Sequence, residues 1–239
     1  MLRVLITRAA LTLFSCMVVF GAVVRGEVID NFAEVGNEVL LAFPTTGTYS
    51  AVKTGLSAAN TAGGVRQTEI DLLAANGPSF TTRTASTFSW SHGPTNSQAR
   101  LTYDANGAGL GGIDLTDAGN SQLFALIALG NDLGFSYTIS VTDVPGSGGD
   151  TATFMNTVGA GVIGSFTQLF TDFTNAGAVD FTMIDSISVL LQGPTAANVQ
   201  LASLHTAAVP EPSTLLSLSA VGGIFVMVRR RQLRFRPVN

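Results

Sequence analysis

The chain has 239 residues, enough for one ordinary domain with addressing segments at its ends. Its charges are segregated: between Glu27 and Thr206 four basic residues, Lys53, Arg66, Arg83 and Arg100, face fifteen acids, a net charge of −11. Such a stretch repels phosphate backbones, which excludes nucleic acid as a partner. With Cys16 as the only cysteine, the chain has neither a disulfide framework nor a thiolate zinc site.

The first residues read MLRVLITRAALTLFSCMVVFGAVVRGE. Arg3 and Arg8 precede a mostly apolar run from Ala9 to Val24, and small or short residues close it. This order predicts a secretory signal peptide over residues 1–26, with Val24 and Gly26 flanking Arg25 at the cleavage site. An uncleaved anchor is the other reading of the same run. A lipoprotein site at Cys16 fits poorly, because Phe14 precedes it and apolar residues continue well beyond it.

Residues 27–206 predict an all-β ectodomain, an antiparallel β-sandwich. In GFSYTISVT, Phe135, Tyr137, Ile139 and Val141 fall on one face, and Ser136, Thr138, Ser140 and Thr142 on the other. That period of two marks a half-buried strand with the four apolar residues in the core. Comparable runs recur in EVLLAF, QTEIDLL, FTTRTASTFSW, QARLTYD, QLFALIAL, TATFMNT, DSISVLL and VQLASL. Turn clusters such as AANGP, HGPTN, DANGAG and VPGSGGD separate them. Only FTQLFTDFTN, residues 166–175, reads as either a short helix or a bulged edge strand. No fixed-period repeat supports a solenoid or propeller.

Several constellations invite a chemical reading. Gly107, Gly109 and Gly112 satisfy G-x-G-x-x-G, but IDLTDAGN follows where a dinucleotide site needs a helix. The same loop offers the oxygen ligands Asp104, Asn106, Asp114, Asp117 and Asn120, suited to structural calcium or to turn formation. No other cofactor is indicated. Trp90, Tyr103 and Tyr137 are the candidate aromatics for a sugar platform if the fold exposes them, with burial in the core as the alternative. His92 and His205, the only histidines, lie far apart in sequence. No G-x-S-x-G elbow accompanies them, and no carboxylate pair stands out for glycoside hydrolysis, so no catalytic residue is assigned.

The C-terminal end reads VPEPSTLLSLSAVGGIFVMVRRRQ. Pro210 and Pro212 lack amide hydrogens and restrict their predecessors, so Pro210-Glu211-Pro212 stays extended. Leu215 to Val228 is apolar apart from Ser217 and Ser219, and covers about 21 Å as a helix against a hydrocarbon core of about 30 Å. Ser213 and Thr214 lengthen that helix to about residues 214–228 or a turn beyond, and Arg229, Arg230 and Arg231 hold the end on the cytoplasmic side. A proline-acid-proline segment, a short membrane helix and an arginine cluster, in that order over residues 207–239, resemble the PEP-CTERM sorting signal. The resemblance implies an exported bacterial protein processed by an exosortase, with extracellular polysaccharide as a further partner. The order of the middle segments is also similar to the jelly-roll ectodomains found among such proteins.

Three functions are compatible with these readings. The first is a cell-surface or matrix protein with a structural or adhesive role. The second is a secreted glycan-binding module, and the third a secreted hydrolase. The fold class accommodates all three, so the site must decide.

Overall fold

The computed structural model describes residues 25–209, apart from 35, 36, 75 and 85. Most of the expected signal segment, the proline-acid-proline tag and the C-terminal membrane helix lie outside the described residues. Among the described residues no helix is long and apolar enough to cross a membrane.

Among the described residues thirteen strands form two antiparallel sheets packed face to face. The seven-stranded sheet contains β1 (Arg25–Asp30), β2 (Glu38–Ala42), β5 (Ser79–Thr84), β6 (Thr87–His92), β8 (Leu123–Asn131), β11 (Gly164–Leu169) and β13 (Asn198–Ala207). Its order is β11-β8-β13-β6-β5-β2, with β1 paired to the second half of β13. The six-stranded sheet has the order β10-β9-β12-β7-β4-β3. Those strands are β3 (Gly47–Lys53), β4 (Arg66–Ala74), β7 (Asn96–Tyr103), β9 (Phe135–Asp143), β10 (Thr151–Val158) and β12 (Ile184–Gln192). The chain changes sheet after β2, β4 and β6, and at each step from β7 to β9 and from β10 to β13. Most pairings are therefore long-range, and the wrapping is that of a jelly-roll sandwich.

The core follows from the period of two. Phe135, Tyr137, Ile139 and Val141 are all buried, as their alternation predicts. They interleave with Ile187, Val189 and Leu191 of β12 and with Phe124, Leu126 and Ala128 of β8. The ambiguous segment 166–175 divides: β11 is the edge strand, and Phe170–Asp172 makes a single 3-10 turn. Phe170 and Phe173 close the core there by packing on Phe124 at ring separations of 5.4 and 5.5 Å.

Two strands were not predicted. β3 is an edge strand whose side chains are almost all exposed, so it lacks an alternating signature. β1 begins at Arg25, which pairs with Ala207, two residues before the expected mature start at Glu27. Gly26 is required there by close approach, since a Cβ would stand 2.3 Å from both Ser121 Oγ and the Thr206 carbonyl oxygen.

Candidate functional site

Trp90, Tyr103 and Tyr137 lie inside the sandwich, each at most 1% exposed, which corrects their candidacy as a sugar platform. The physical reason is phase: each sits on the inward face of its strand. Tyr137 spans the sheets, its hydroxyl accepting from Asn156 and Gln168, both at 3.3 Å. Trp90 stacks on His92 at 4.8 Å with the rings 14° from parallel. His92 Nδ1 meets the Thr95 carbonyl oxygen at 2.9 Å, while His92 Nε2 and Trp90 Nε1 have no partner. Burial holds the His92 imidazole below its ordinary pKa, against the opposing pull of the Thr95 bond and Asp132.

Tyr103 belongs to a charged cluster buried near the opposite end of the sandwich. Arg66 opens β4 with its guanidinium fully enclosed, at 2.5 Å from Asp30 and 2.9 Å from Glu38. Glu38 Oε1 also accepts from Arg83 Nε at 2.8 Å, and Tyr103 donates to Asp30 at 3.0 Å. Asp30 further accepts the Phe32 amide at 2.8 Å, fixing Phe32 at φ 52°, a left-handed conformation uncommon for a bulky residue. The Arg66 guanidinium lies 5.4 Å from the centre of the Phe32 ring. Burial pushes the Asp30 carboxyl up, opposed first by the Arg66 charge and then by its hydrogen bonds. The cluster ties β1, β2, β4, β5 and β7 together across both sheets. Asp30, Arg66 and Tyr103 are enclosed, whereas the Glu38 side chain is 22% exposed and borders, with Arg83, the space between β2 and β3.

The candidate metal residues are engaged in the turns of their own loop. Asp114 Oδ1 accepts from the Thr116 amide and hydroxyl at 2.8 and 2.6 Å, and Oδ2 from the Ala118 amide at 2.9 Å. These bonds hold the Asp114 carboxyl below its usual range, the Thr116 hydroxyl contributing most. Asp104 caps its loop through its carbonyl oxygen, which accepts from Gly107 and Gly109. Asn106 and Asp117 occupy left-handed turn positions, and Asn120 donates to the Asp117 carbonyl. Among the described residues no three of His, Cys, Asp and Glu come together as a metal set. The glycines of the same loop lead into a bridge between Ile113 and Ile184 rather than a helix, so no pyrophosphate cradle forms.

Open clefts occur elsewhere. One of about 580 Å³ lies at the end of the six-stranded sheet, between Leu133, Gly134, Gly159 and Gly193. A second, of about 380 Å³, lies on the outer face of the seven-stranded sheet along Ser89, Ser91, Gly130, Asp132, Asn198 and Gln200. A third, of about 150 Å³, opens between the edge strands β2 and β3. Each of the three is lined by residues from strands that are distant in sequence, so none is written into a single stretch of the chain. Ser203 Oγ and His205 Nδ1 stand 3.3 Å apart on β13, but neither borders these clefts.

The comparisons with known proteins address the end of the chain and the sandwich separately. The PEP-CTERM protein-sorting motif matches residues 208–231, which include Pro210–Thr214 and Arg229–Arg231. That motif marks an exported protein and implies processing by an exosortase-type enzyme. No curated protein matches the sequence. Among solved structures, the sandwich is similar to CtCBM11, at 12% identity and a TM-score of 0.44 over 80% of this chain and 100% of that one. The family 11 carbohydrate-binding module from Clostridium thermocellum in complex with a β-1,3-1,4-mixed-linked tetrasaccharide gives 14% and 0.37 over the same shares. The agarase AgWH50C gives 13% and 0.40 over 54% of this chain, which spans 23% of the agarase. At such scores these likenesses carry no argument about ligand or activity.

Proposed function

From the sorting motif at the end of the chain, we infer that this exported protein is a surface or extracellular-matrix component, contributing architecture and adhesion rather than catalysis. The observation that carries this reading is where the chain leaves the sandwich. β13 ends at Ala207 and the motif begins at residue 208, so nothing separates the folded domain from its tag. Arg25 pairs with Ala207, so both ends of the domain meet at one end of the sandwich. Nine-residue strands of about 30 Å then carry the loops at 132–134, 159–163 and 193–197 away from the point of attachment.

Two features of the domain agree with this role. Its exposed strand faces are rich in Ser, Thr, Asn and Gln, which favour hydration and contact with other hydroxylated surfaces. Its buried charges are engaged in holding strands together. A hydrolase needs a cleft in which an acid and a base converge. Among the described residues one of the three clefts has no ionisable side chain, one has Asp132 alone, and in the third Glu38 is held by Arg83.

The reading is tested by fractionating a host that contains the sorting enzyme and probing with antibody to the sandwich. The protein is expected in the protease-accessible surface or matrix fraction, and a strain lacking it should show a less cohesive matrix. A cytoplasmic location, or loss of a hydrolytic activity with the matrix intact, overturns it.

A further inference from the structure

We propose that the outer face of the seven-stranded sheet binds a neutral polysaccharide along a row of residues that runs from Phe80 to the cleft beside Asp132. The proposal deepens the surface-protein reading by giving it an adhesive site, and rests on that reading only for where the ligand is met.

Strand register builds the row. Leu41 of β2 is opposite Phe80 of β5, Phe80 is opposite Ser91 of β6, and Ser91 is opposite Asn198 of β13. Asn198 in turn contacts Asp132, just after β8, through its backbone N–H at 2.8 Å and its side-chain amide at 2.5 Å. Five neighbouring strands spaced about 4.8 Å apart give a track of about 19 Å, the length of a short oligosaccharide. A parallel row contains Thr82, Ser89 and Gln200 and ends at Gly130, where the lack of a side chain keeps the cleft open. A Cβ at Gly130 would come within 3.3 Å of Gln200 Cβ.

The chemistry of the two halves differs in the way a sugar ring does. At one end Phe80 is 36% exposed and Leu41 56% exposed, an apolar floor suited to the C–H face of a pyranose. At the other end hydroxyls and amides both donate and accept, as sugar hydroxyls do, and one carboxylate accepts. Ser91 donates to Asn198 Oδ1, and Gln200 Nε2 donates to Ser89 Oγ at 3.4 Å, so these groups are ordered before any ligand arrives.

Charge selects among glycans. Among the described residues Asp132 is the only ionisable side chain that lines the cleft. Partial burial tends to raise its carboxyl, but the bonds from Asn198 outweigh that and hold it below the usual range. With no cation beside it and a domain strongly acidic overall, uronate, sulfate or phosphate groups would be repelled. A neutral glycan fits.

The test uses the exported protein purified from its host, run by affinity electrophoresis through gels containing glucan, galactan, mannan or polygalacturonate. At least one neutral polysaccharide should retard it and polygalacturonate should not. Phe80→Ala and Gln200→Ala should each weaken that retardation about tenfold, with the melting temperature unchanged. Ser188→Ala, on the outer face of the other sheet, should leave retardation unchanged. Failure of every neutral polysaccharide to bind overturns the proposal, as does binding that survives both the Phe80 and Gln200 variants or is lost in Ser188→Ala. If Phe80→Ala instead abolishes a concentration-dependent dimer, this face is a contact between copies and the glycan site is wrong. None of these outcomes depends on the sorting tag, so the site and the surface-protein reading can fail separately.

Discussion

The two ends of the sandwich both bury polar groups, and they do so by opposite means. Near the end where the chain leaves, Asp30, Arg66, Glu38 and Arg83 are charged, and each finds an oppositely charged partner within 3 Å, with only Nε of the Arg66 guanidinium left without a hydrogen bond. At the far end Trp90 and His92 are uncharged, and each leaves one ring nitrogen without a partner. The difference follows from the cost of desolvation. An unpaired buried charge costs several kcal/mol, whereas an unpaired neutral donor or acceptor costs about 1–3 kcal/mol, which stacking can offset. The charged cluster therefore tolerates little change and the stacked pair more. The end beside the sorting motif is the more tightly bound of the two.

Breaking the charged cluster should have the largest effect. Arg66→Leu strands Asp30 in the core, and unfolding in urea should show a loss of about 3–5 kcal/mol. Combining it with Asp30→Asn should recover part of that loss, because the stranded charge is gone. Tyr103→Phe removes one hydrogen bond to Asp30 and should cost about 1–2 kcal/mol by the same measurement. If Arg66→Leu costs no more than Tyr103→Phe, the cluster is not the brace described.

The far end should respond to pH instead. The folded pKa of His92 is depressed by burial, so the unfolded chain takes up a proton near pH 6.5 that the folded chain refuses. Stability contributed by neutral His92 is full above that pH and falls as the solution is made more acidic. Urea midpoints between pH 7.5 and 5 should show this slope, and His92→Gln should flatten it. Phe80→Ala should have the smallest effect on folding, within about 0.5 kcal/mol, because the ring is on the surface. A large melting shift there would mean that Phe80 supports the core.

Much of the fold could be read from alternation, because a half-buried strand writes its inward face into the sequence. β9 shows this with Phe135, Tyr137, Ile139 and Val141. β3 was not legible, since an edge strand with nearly all side chains exposed needs no pattern. β1 was obscured because its first residues, Arg25 and Gly26, also read as the close of a signal peptide. The charged cluster was partly legible. Arg66 is in phase with Thr68, Ile70 and Leu72, which places an arginine on a core-facing row. Its partners Asp30, Glu38 and Tyr103 come from three other strands, and only topology brings them together. The aromatic platform failed on the same rule of phase: Trp90, Tyr103 and Tyr137 face inward, whereas Phe80 alternates with Ser79 and Thr81 and faces out.

The account depends most on the C-terminal segment being a sorting tag. The direct measurement replaces Pro210, Glu211 and Pro212 with alanine in a host that contains the sorting enzyme, and follows the mass of the C-terminal fragment in membrane and released fractions. Export should persist, because residues 1–26 and the apolar run from Leu215 to Val228 are unchanged. Proline disfavours helix and alanine favours it, so the substitution should remove the extended backbone expected of Pro210-Glu211-Pro212 as the segment an enzyme would recognise. The variant should therefore remain full-length in the membrane while the wild-type chain is processed. Equal processing of the two would contradict the sorting-tag account and leave a plain membrane anchor in its place.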